Sequence, residues 1–211
     1  MIRQFAEKLG DSLKHLPGHT VQERMAPPHR LPSKEWEKYY ERARLGGVLI
    51  LFYPDQETIR TVMIQRPEYV GVHSGQVAFP GGQMERSDRD LIDTALREAH
   101  EEVGVDLSSI HVLGSLTRLY IPPSNFLITP VVAYSANHPM FKPDKNEVAA
   151  LIEPSVEELL DEKAAGIKPI RVMQEFSIQA PCYTICNRTV WGATAMIIAE
   201  LNEILKRVLP R

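Results

Sequence analysis

Cysteine is nearly absent from this chain. Only Cys182 and Cys186 occur in 211 residues, too few for a disulfide framework and without C-x-x-C spacing. A basic excess is missing as well. With 24 Lys and Arg against 27 Asp and Glu, the formal net charge is −3, and nothing suggests a nucleic-acid surface. No apolar run approaches a membrane span, and the N-terminus lacks the apolar core of a secretory signal. Repeats and low-complexity tracts are also absent. What remains is an ordinary composition, 44% apolar and 24% charged, in a chain long enough for one domain with a proper core. These absences lead to the expectation of a soluble cytoplasmic protein whose partners are neither nucleic acid nor membrane.

The informative stretch is 76–105, QVAFPGGQMERSDRDLIDTALREAHEEVGV. Val77, Ala78 and Phe79 read as a short apolar strand, Pro80-Gly81-Gly82 breaks it, and a helix follows that ends near Gly104. On that helix Glu98, Glu101 and Glu102 stand at i, i+3 and i+4, which gathers three carboxylates on one face. Like charges so placed repel by roughly a few tenths of a kcal/mol per pair, and a helix needing only solubility would intersperse lysines. Ile92, Leu96, Ala99 and Val103 form an apolar stripe about 120° away, so one face anchors in a core while the other presents oxygen. Clustered carboxylates suit a hard divalent cation, Mg²⁺ or Mn²⁺, and not zinc, which takes His or Cys. The alternative is a solvated acidic face, and the neighbouring residues decide between the two.

Those neighbours are Phe79-Pro-Gly-Gly82 upstream and Arg97-Glu98-x-x-Glu101-Glu102-x-Gly104-Val105. The chain here resembles the Nudix hydrolases, whose signature is G-x5-E-x7-R-E-U-x-E-E-x-G-U with U aliphatic. The resemblance implies that Glu98, Glu101 and Glu102 bind the divalent ions and that the Gly81 carbonyl joins the coordination. The glycines have a physical reading too, since they let the backbone turn sharply and approach a metal-bound phosphate. One departure stands out. The first glutamate of the signature falls on Arg89, and Asp88 stands one place earlier. In the family that acid braces the arginine, here Arg97; Asp88 either takes over that role or caps the helix together with Ser87.

Along the rest of the chain, residues 1–16 read as a helix with Phe5, Leu9 and Leu13 on one stripe. The proline-rich stretch 17–32 reads as irregular and draped on the domain, and Ser33 as the cap of a short helix whose apolar side is Trp36, Tyr39 and Tyr40. Together they suggest an N-terminal helical arm, 1–45, packed on a domain spanning 46–211. Residues 47–53 read as a buried strand with 59–65 as its hairpin partner, followed by a loop over 66–75. Strands are expected at 110–120, 126–134 and 147–152, a helix capped by Ser155 over 156–161, and a second hairpin from 167–178 and 182–188. A closing amphipathic helix runs from 190 to about 208, with Ala195, Ile198, Leu201, Ile204 and Leu205 inward. Strands and helices interleave without regular βαβ alternation. This order fits an α+β, α/β/α sandwich with a mixed sheet between helices, which is also what the Nudix resemblance implies.

A second resemblance is wider, running from about 46 to 205. Arg66, Gly75 and Phe79 to Gly82 fall without gaps on L-L-T-x-R-[SA]-x3-R-x3-G-x3-F-P-G-G, the pattern before the Nudix box in the coenzyme A pyrophosphatase branch. The shifted acid Asp88, Thr129-Pro-Val131, Asn146-Glu-Val148 and Trp191-Gly-Ala-Thr-Ala195 are similar to the same branch. Two positions differ: Pro67 replaces Ser or Ala, and Gly71 replaces a second arginine whose planar fork would suit a phosphate.

The resemblance implies metal-dependent hydrolysis of coenzyme A or its thioesters to adenosine 3′,5′-bisphosphate and 4′-phosphopantetheine. The alternative is another nucleoside diphosphate derivative, such as ADP-ribose or a dinucleotide. A catalytically silent sensor domain would be expected to have lost helix carboxylates, and all three are present.

Individual roles follow from these readings. Glu98 is either a ligand or the base that takes the proton of water. Glu147 is a candidate further carboxylate, or a strand-edge salt bridge. Arg66 is expected to meet a phosphate. His73 either contacts substrate or hydrogen-bonds its own loop. Ser124, Asn125 and Phe126 either line the pocket or form a surface turn. Trp191 is expected to be core, and the cysteines carry no chemistry. A monomer or a homodimer is open.

Overall fold

The structure is a computed structural model that describes residues 1–69, 71, 73–173 and 176–209. Helix α1 (Ile2–Ser12) and the short α2 (His19–Gln22) precede two 3₁₀ turns, Glu23–Met25 and Ser33–Arg42. Strands β1 (Arg44–Asp55), β2 (Thr58–Thr61), β3 (Met63–Gln65), β4 (Val77–Ala78) and β5 (Gly81–Gln83) lead into α3 (Leu91–Val103). Next come β6 (Ile110–Ser115), β7 (Leu119–Ile121), β8 (Phe126–Ser135), β9 (Ala150–Ile152) and α4 (Val156–Leu160). The chain closes with β10 (Ala165–Met173), β11 (Phe176–Ile185), β12 (Arg188–Trp191) and α5 (Gly192–Val208).

The central sheet is mixed. Its order is β2-β1-β8-β6, with β5 also on β1 and β7 also on β8; β1 and β8 are parallel and the other pairs antiparallel. Alternation along β1 sends its side chains to two cores. Ile50 and Phe52 meet Phe5 and Leu9 of α1 and Ile198, Leu201, Ile204 and Leu205 of α5. Leu49, Leu51 and Tyr53 face the other way, towards Ala95, Ala99 and Val103 of α3. The sheet is thus covered by α1 and α5 on one face and α3 on the other, the sandwich that the element order implied. No helix among the described residues is long and apolar enough to cross a membrane.

Several boundaries differ from the sequence expectation. The partner of β1 breaks at Val62: β2 stays with β1, while β3 joins a separate sheet with β4 and β9, because Thr61 N–H is taken by the Pro154 carbonyl. The stretch 110–120 divides into β6 and β7 around Thr117, whose backbone is drawn to Glu200. Only Ala150–Ile152 of the stretch 147–152 is strand, since a turn anchored on Asp144 holds Glu147. The second hairpin turns earlier than expected, with Met173 opposite Phe176 where the turn was expected between 178 and 182, and 174–175 lie outside the described residues. Ser33 caps nothing; it is buried inside the 3₁₀ turn, where its N–H donates to Glu23. The stretch 17–32 contains α2, which buries Val21 and Gln22. Ser155 does cap α4, in a capping box with Glu158. The apolar stripe of α3 is rotated: Ala95, Ala99 and Val103 are buried, whereas Ile92 is 37% exposed. A Cβ on Gly47 would strike the Leu91 carbonyl and the Ala95 amide, so small residues let the helix lie close to β1.

A fully buried carboxylate holds the arm to the sandwich. Glu200 of α5 accepts hydrogen bonds from Gly18 N–H (3.0 Å), Gln22 Nε2 (2.8 Å), Thr117 N–H (3.2 Å) and Thr117 Oγ1 (2.6 Å). No cation pairs with it among the described residues. Removing one acceptor would strand several buried donors at once. Glu200→Ala is expected to cost roughly 2–4 kcal/mol in urea unfolding, with faster amide exchange over 18–25. A stability change within error would show that the arm is held by apolar contacts alone.

Candidate active site

The site grows from the junction between β5 and α3. Asp90 caps α3, accepting from the Ile92 and Asp93 amides, and Gly104 ends the helix in a left-handed conformation. Neither Ser87 nor Asp88 is the cap. Asp88 instead holds Arg97, with its Oδ1 2.9 Å from Nε and its Oδ2 3.1 Å from Nη2, and also accepts from Thr94 Oγ1. The guanidinium keeps the Asp88 carboxyl well below the usual carboxylate range. Arg97 also donates to the Gln83 carbonyl (3.0 Å) and lies 3.0 Å from Glu98 Oε1 and 2.9 Å from Glu101 Oε2.

The three helix glutamates part company. Glu101 is half exposed and turned to Arg97, one helical turn earlier. Glu98 is mostly buried under β5, where a Cβ on Gly82 would run into its carboxylate. Glu102 is 2% exposed, with Oε2 accepting from Gly81 N–H at 2.8 Å. The three therefore do not converge as placed, and no group of three His, Cys, Asp or Glu side chains forms a metal cluster among the described residues. Burial pushes Glu102 up to about 7; Arg66 and the Gly81 amide oppose the shift, and the charges of Glu98 and Glu147 add to it. Burial raises Glu98 too, partly offset by Arg97 and reinforced by Glu101 and Glu147.

Glu147 makes no ion pair among the described residues. It sits exposed in a turn that backbone bonds tie to α3 and β3: Asp144 N–H to the Glu102 carbonyl, Ala149 N–H to the Gln65 carbonyl. The pairing of β3 with β4 delivers Arg66, whose Nη2 donates to the Gly81 carbonyl (3.1 Å) and lies 3.7 Å from Glu102 Oε1.

Other expected residues lie further out. His73 has φ +72 and pairs its Nδ1 with Gln76 Oε1 at 3.0 Å, so its contact is within its own loop. Ser124, Asn125 and Phe126 lead into β8 beside the first residue of β1. Arg44 links them to the site: its guanidinium covers the Phe126 ring at 4.1 Å, donates to the Ser124 carbonyl (3.0 Å) and reaches Gln83 Oε1 (3.3 Å). Asn125 accepts from Tyr120 Oη at 2.9 Å. Sequence reasoning missed Arg44 and Gln83, and no periodicity or motif marks either. At Gly71, a Cβ would meet the Tyr69 ring.

Buried carboxylates beside a glycine turn and a guanidinium are the residue types that a hard cation and a phosphate-bearing anion take. The comparisons agree with that class. The NUDIX domain matches residues 43–175. A protein of Pectobacterium atrosepticum described as an uncharacterized Nudix hydrolase NudL is 40% identical over 175 residues, covering 82% of this chain and 87% of that one. Its counterpart in Yersinia enterocolitica is 37% identical over 143 residues, covering 67% and 72%. A solved MutT/nudix family protein from Enterococcus faecalis superposes with a TM-score of 0.49 at 16% identity, covering 89% of this chain and 73% of that one. The chain belongs to the Nudix hydrolase family. Such enzymes generally use divalent cations, commonly Mg²⁺ or Mn²⁺, and act on small nucleoside diphosphate substrates. The residue types present suit that ion, since Glu98, Glu102 and the Gly81 carbonyl are hard oxygen donors, and burial raises both carboxyls despite Arg97 and Arg66.

The shift at Glu102 has a sign that can be measured. In metal-free protein its folded-state value, about 7, lies above the ordinary 4.5, so the folded state holds the proton more tightly. Stability is then expected to fall as pH rises from about 4.5 to 7 and to level off above, a loss on the order of 3 kcal/mol. Glu102→Gln should flatten that slope in equilibrium unfolding with EDTA between pH 4.5 and 8. An unchanged slope in the variant would assign the pH dependence to another group.

Proposed function

We propose that the chain hydrolyses the diphosphate linkage of coenzyme A or acyl-coenzyme A, releasing adenosine 3′,5′-bisphosphate and (acyl-)4′-phosphopantetheine. The observation that favours this reading is the position of Arg66. The arginine of the coenzyme A pyrophosphatase-like pattern stands 3.1 Å from the Gly81 carbonyl, beside the buried Glu102. A planar guanidinium there suits a diphosphate oxygen.

In this reading Glu98, Glu101, Glu102 and the Gly81 carbonyl would hold the divalent ion. Bound Mg²⁺ or Mn²⁺ supplies charge neutralisation at phosphorus and makes water more acidic. Arg66 orients the diphosphate. Glu98 or Glu147 takes the proton of the attacking water, whose oxygen bonds to phosphorus as the bridging P–O bond breaks. Asp88 fixes Arg97, which positions the helix carboxylates. The cytoplasm is the proposed compartment, which the free state of Cys182 and Cys186 supports.

A second reading is kept by Pro67 and Gly71. Gly71 abuts the Tyr69 ring and brings no second guanidinium to that loop, which favours a substrate with one phosphate fewer, such as ADP-ribose or a dinucleotide. Product chromatography with Mg²⁺ or Mn²⁺ on coenzyme A, ADP-ribose, NADH and a diadenosine polyphosphate separates the readings, with Glu102→Gln as the blank. Bisphosphate and phosphopantetheine are expected from intact protein, with turnover in Glu102→Gln reduced at least 100-fold. Turnover of ADP-ribose but not coenzyme A would replace the first reading with the second. No turnover of any substrate would favour a sensor domain.

A further inference from the structure

At the same end of the sheet as the Gly81 loop, the N-terminal arm builds a cluster of rings. Trp36, Tyr39 and Tyr40 surround Tyr120 of β7, with centroids 5.5, 6.0 and 6.2 Å from it, and Tyr39 lies within 9° of parallel to Tyr120. Cations border the rings. Arg30 stands 5.9 Å from the Trp36 centroid and donates to the Tyr120 carbonyl (2.7 Å), Lys38 Nζ stands 5.4 Å from the Tyr39 centroid, where a stacked base would displace it, and Arg118 stands 5.9 Å from that of Tyr40.

Packing alone does not account for this cluster. Tyr39 is 42% exposed, and the exposed Arg118 pairs with no carboxylate among the described residues. Inside the arm, Arg30 Nε, Ser33 Oγ and Tyr40 Oη are buried without a hydrogen-bond partner, as is Ser124 Oγ in the adjoining turn. These are four of the seven such atoms among the described residues, so unsatisfied polarity is concentrated here.

The position relative to the cation site is set by the sheet. At this end β5, β1, β8 and β7 are successive neighbours. Three interstrand spacings place β7 roughly 14 Å from the Gly81 loop. Arg44 and Asn125 tie the two regions together, through Gln83 on one side and Tyr120 on the other.

We propose that this arm is the subsite for the nucleoside half of the substrate, with the base stacked on Tyr39 and Trp36 and a ribose phosphate held by Arg118 and Arg30. The proposal rests on the reading of a nucleoside diphosphate substrate and adds what selects it. Aromatic faces stack any base, whereas guanidinium groups beside the rings favour a ribose that carries its own phosphate.

The test is ligand binding to metal-free, full-length protein, by calorimetry and by quenching of Trp36 fluorescence. The probes are adenosine 3′,5′-bisphosphate, adenosine 5′-monophosphate and 4′-phosphopantetheine. Arg118→Gln is expected to weaken the bisphosphate about 10-fold and the monophosphate by much less. Tyr39→Ala should weaken both nucleotides about 10-fold, with Tyr39→Phe restoring them. Both side chains are exposed, and circular dichroism checks that the variants fold. Unchanged affinities in Arg118→Gln and Tyr39→Ala would overturn the proposal, as would binding of phosphopantetheine alone. The two readings fail separately. Coenzyme A turned over with KM unchanged in both variants removes the subsite and leaves the activity. Nucleotide binding that responds to the variants, without turnover of coenzyme A, keeps the subsite and removes the activity.

Discussion

Glu102 is a carboxylate buried without a closely matched cation, and the surrounding architecture is arranged about it. α3 can bring it there because Gly47 and Ala95 allow helix and strand to approach closely. Once in place, the Gly81 amide donates to it and Arg66 stands nearby, yet burial outweighs both and the carboxyl titrates well above its ordinary range. Two mostly buried carboxyls held up by burial despite an arginine beside each are costly to the fold, and their oxygens are of the type a hard cation takes. Asp88 and Arg97 are the reverse case, a matched pair that fixes the outer edge of the same helix.

Glu200 shows how differently the fold treats a carboxylate that it needs only as a strut. It too is buried, but four donors from two segments, α2 with its cap and Thr117, saturate its two oxygens. One glutamate accepts four hydrogen bonds, while the other accepts one, from Gly81, with Arg66 3.7 Å away. The same contrast applies to the arm. Its inner residues are locked by Glu200, while among the described residues its ring cluster keeps polar atoms without a hydrogen-bond partner, beside an arginine that pairs with no carboxylate.

Much of the sandwich was legible in the residues. The continuous apolar run of β1 and the 3.6-residue stripes of α1 and α5 are strong local signals, and they agree with the burial found. The boundaries that moved share one cause. Val62, Thr117 and Glu147 lie where a backbone or side-chain group is claimed by a distant segment (Pro154, Glu200 and Asp144 with α3, respectively), and no local pattern reports such a partner. The rotation of the α3 stripe has a similar origin, since the close approach at Gly47 selects alanine for the contact face and leaves Ile92 at the rim.

By itself the sequence determined the family, the order of layers and the set of polar residues available at the β5–α3 junction, because these depend on local spacing and side-chain chemistry. Tertiary structure alone decided how those residues divide their work. Spacing placed Glu98, Glu101 and Glu102 together, but burial and charge are properties of the surroundings. They sent Glu101 to Arg97, Glu102 into the interior, and Arg66 across from another sheet to the Gly81 carbonyl.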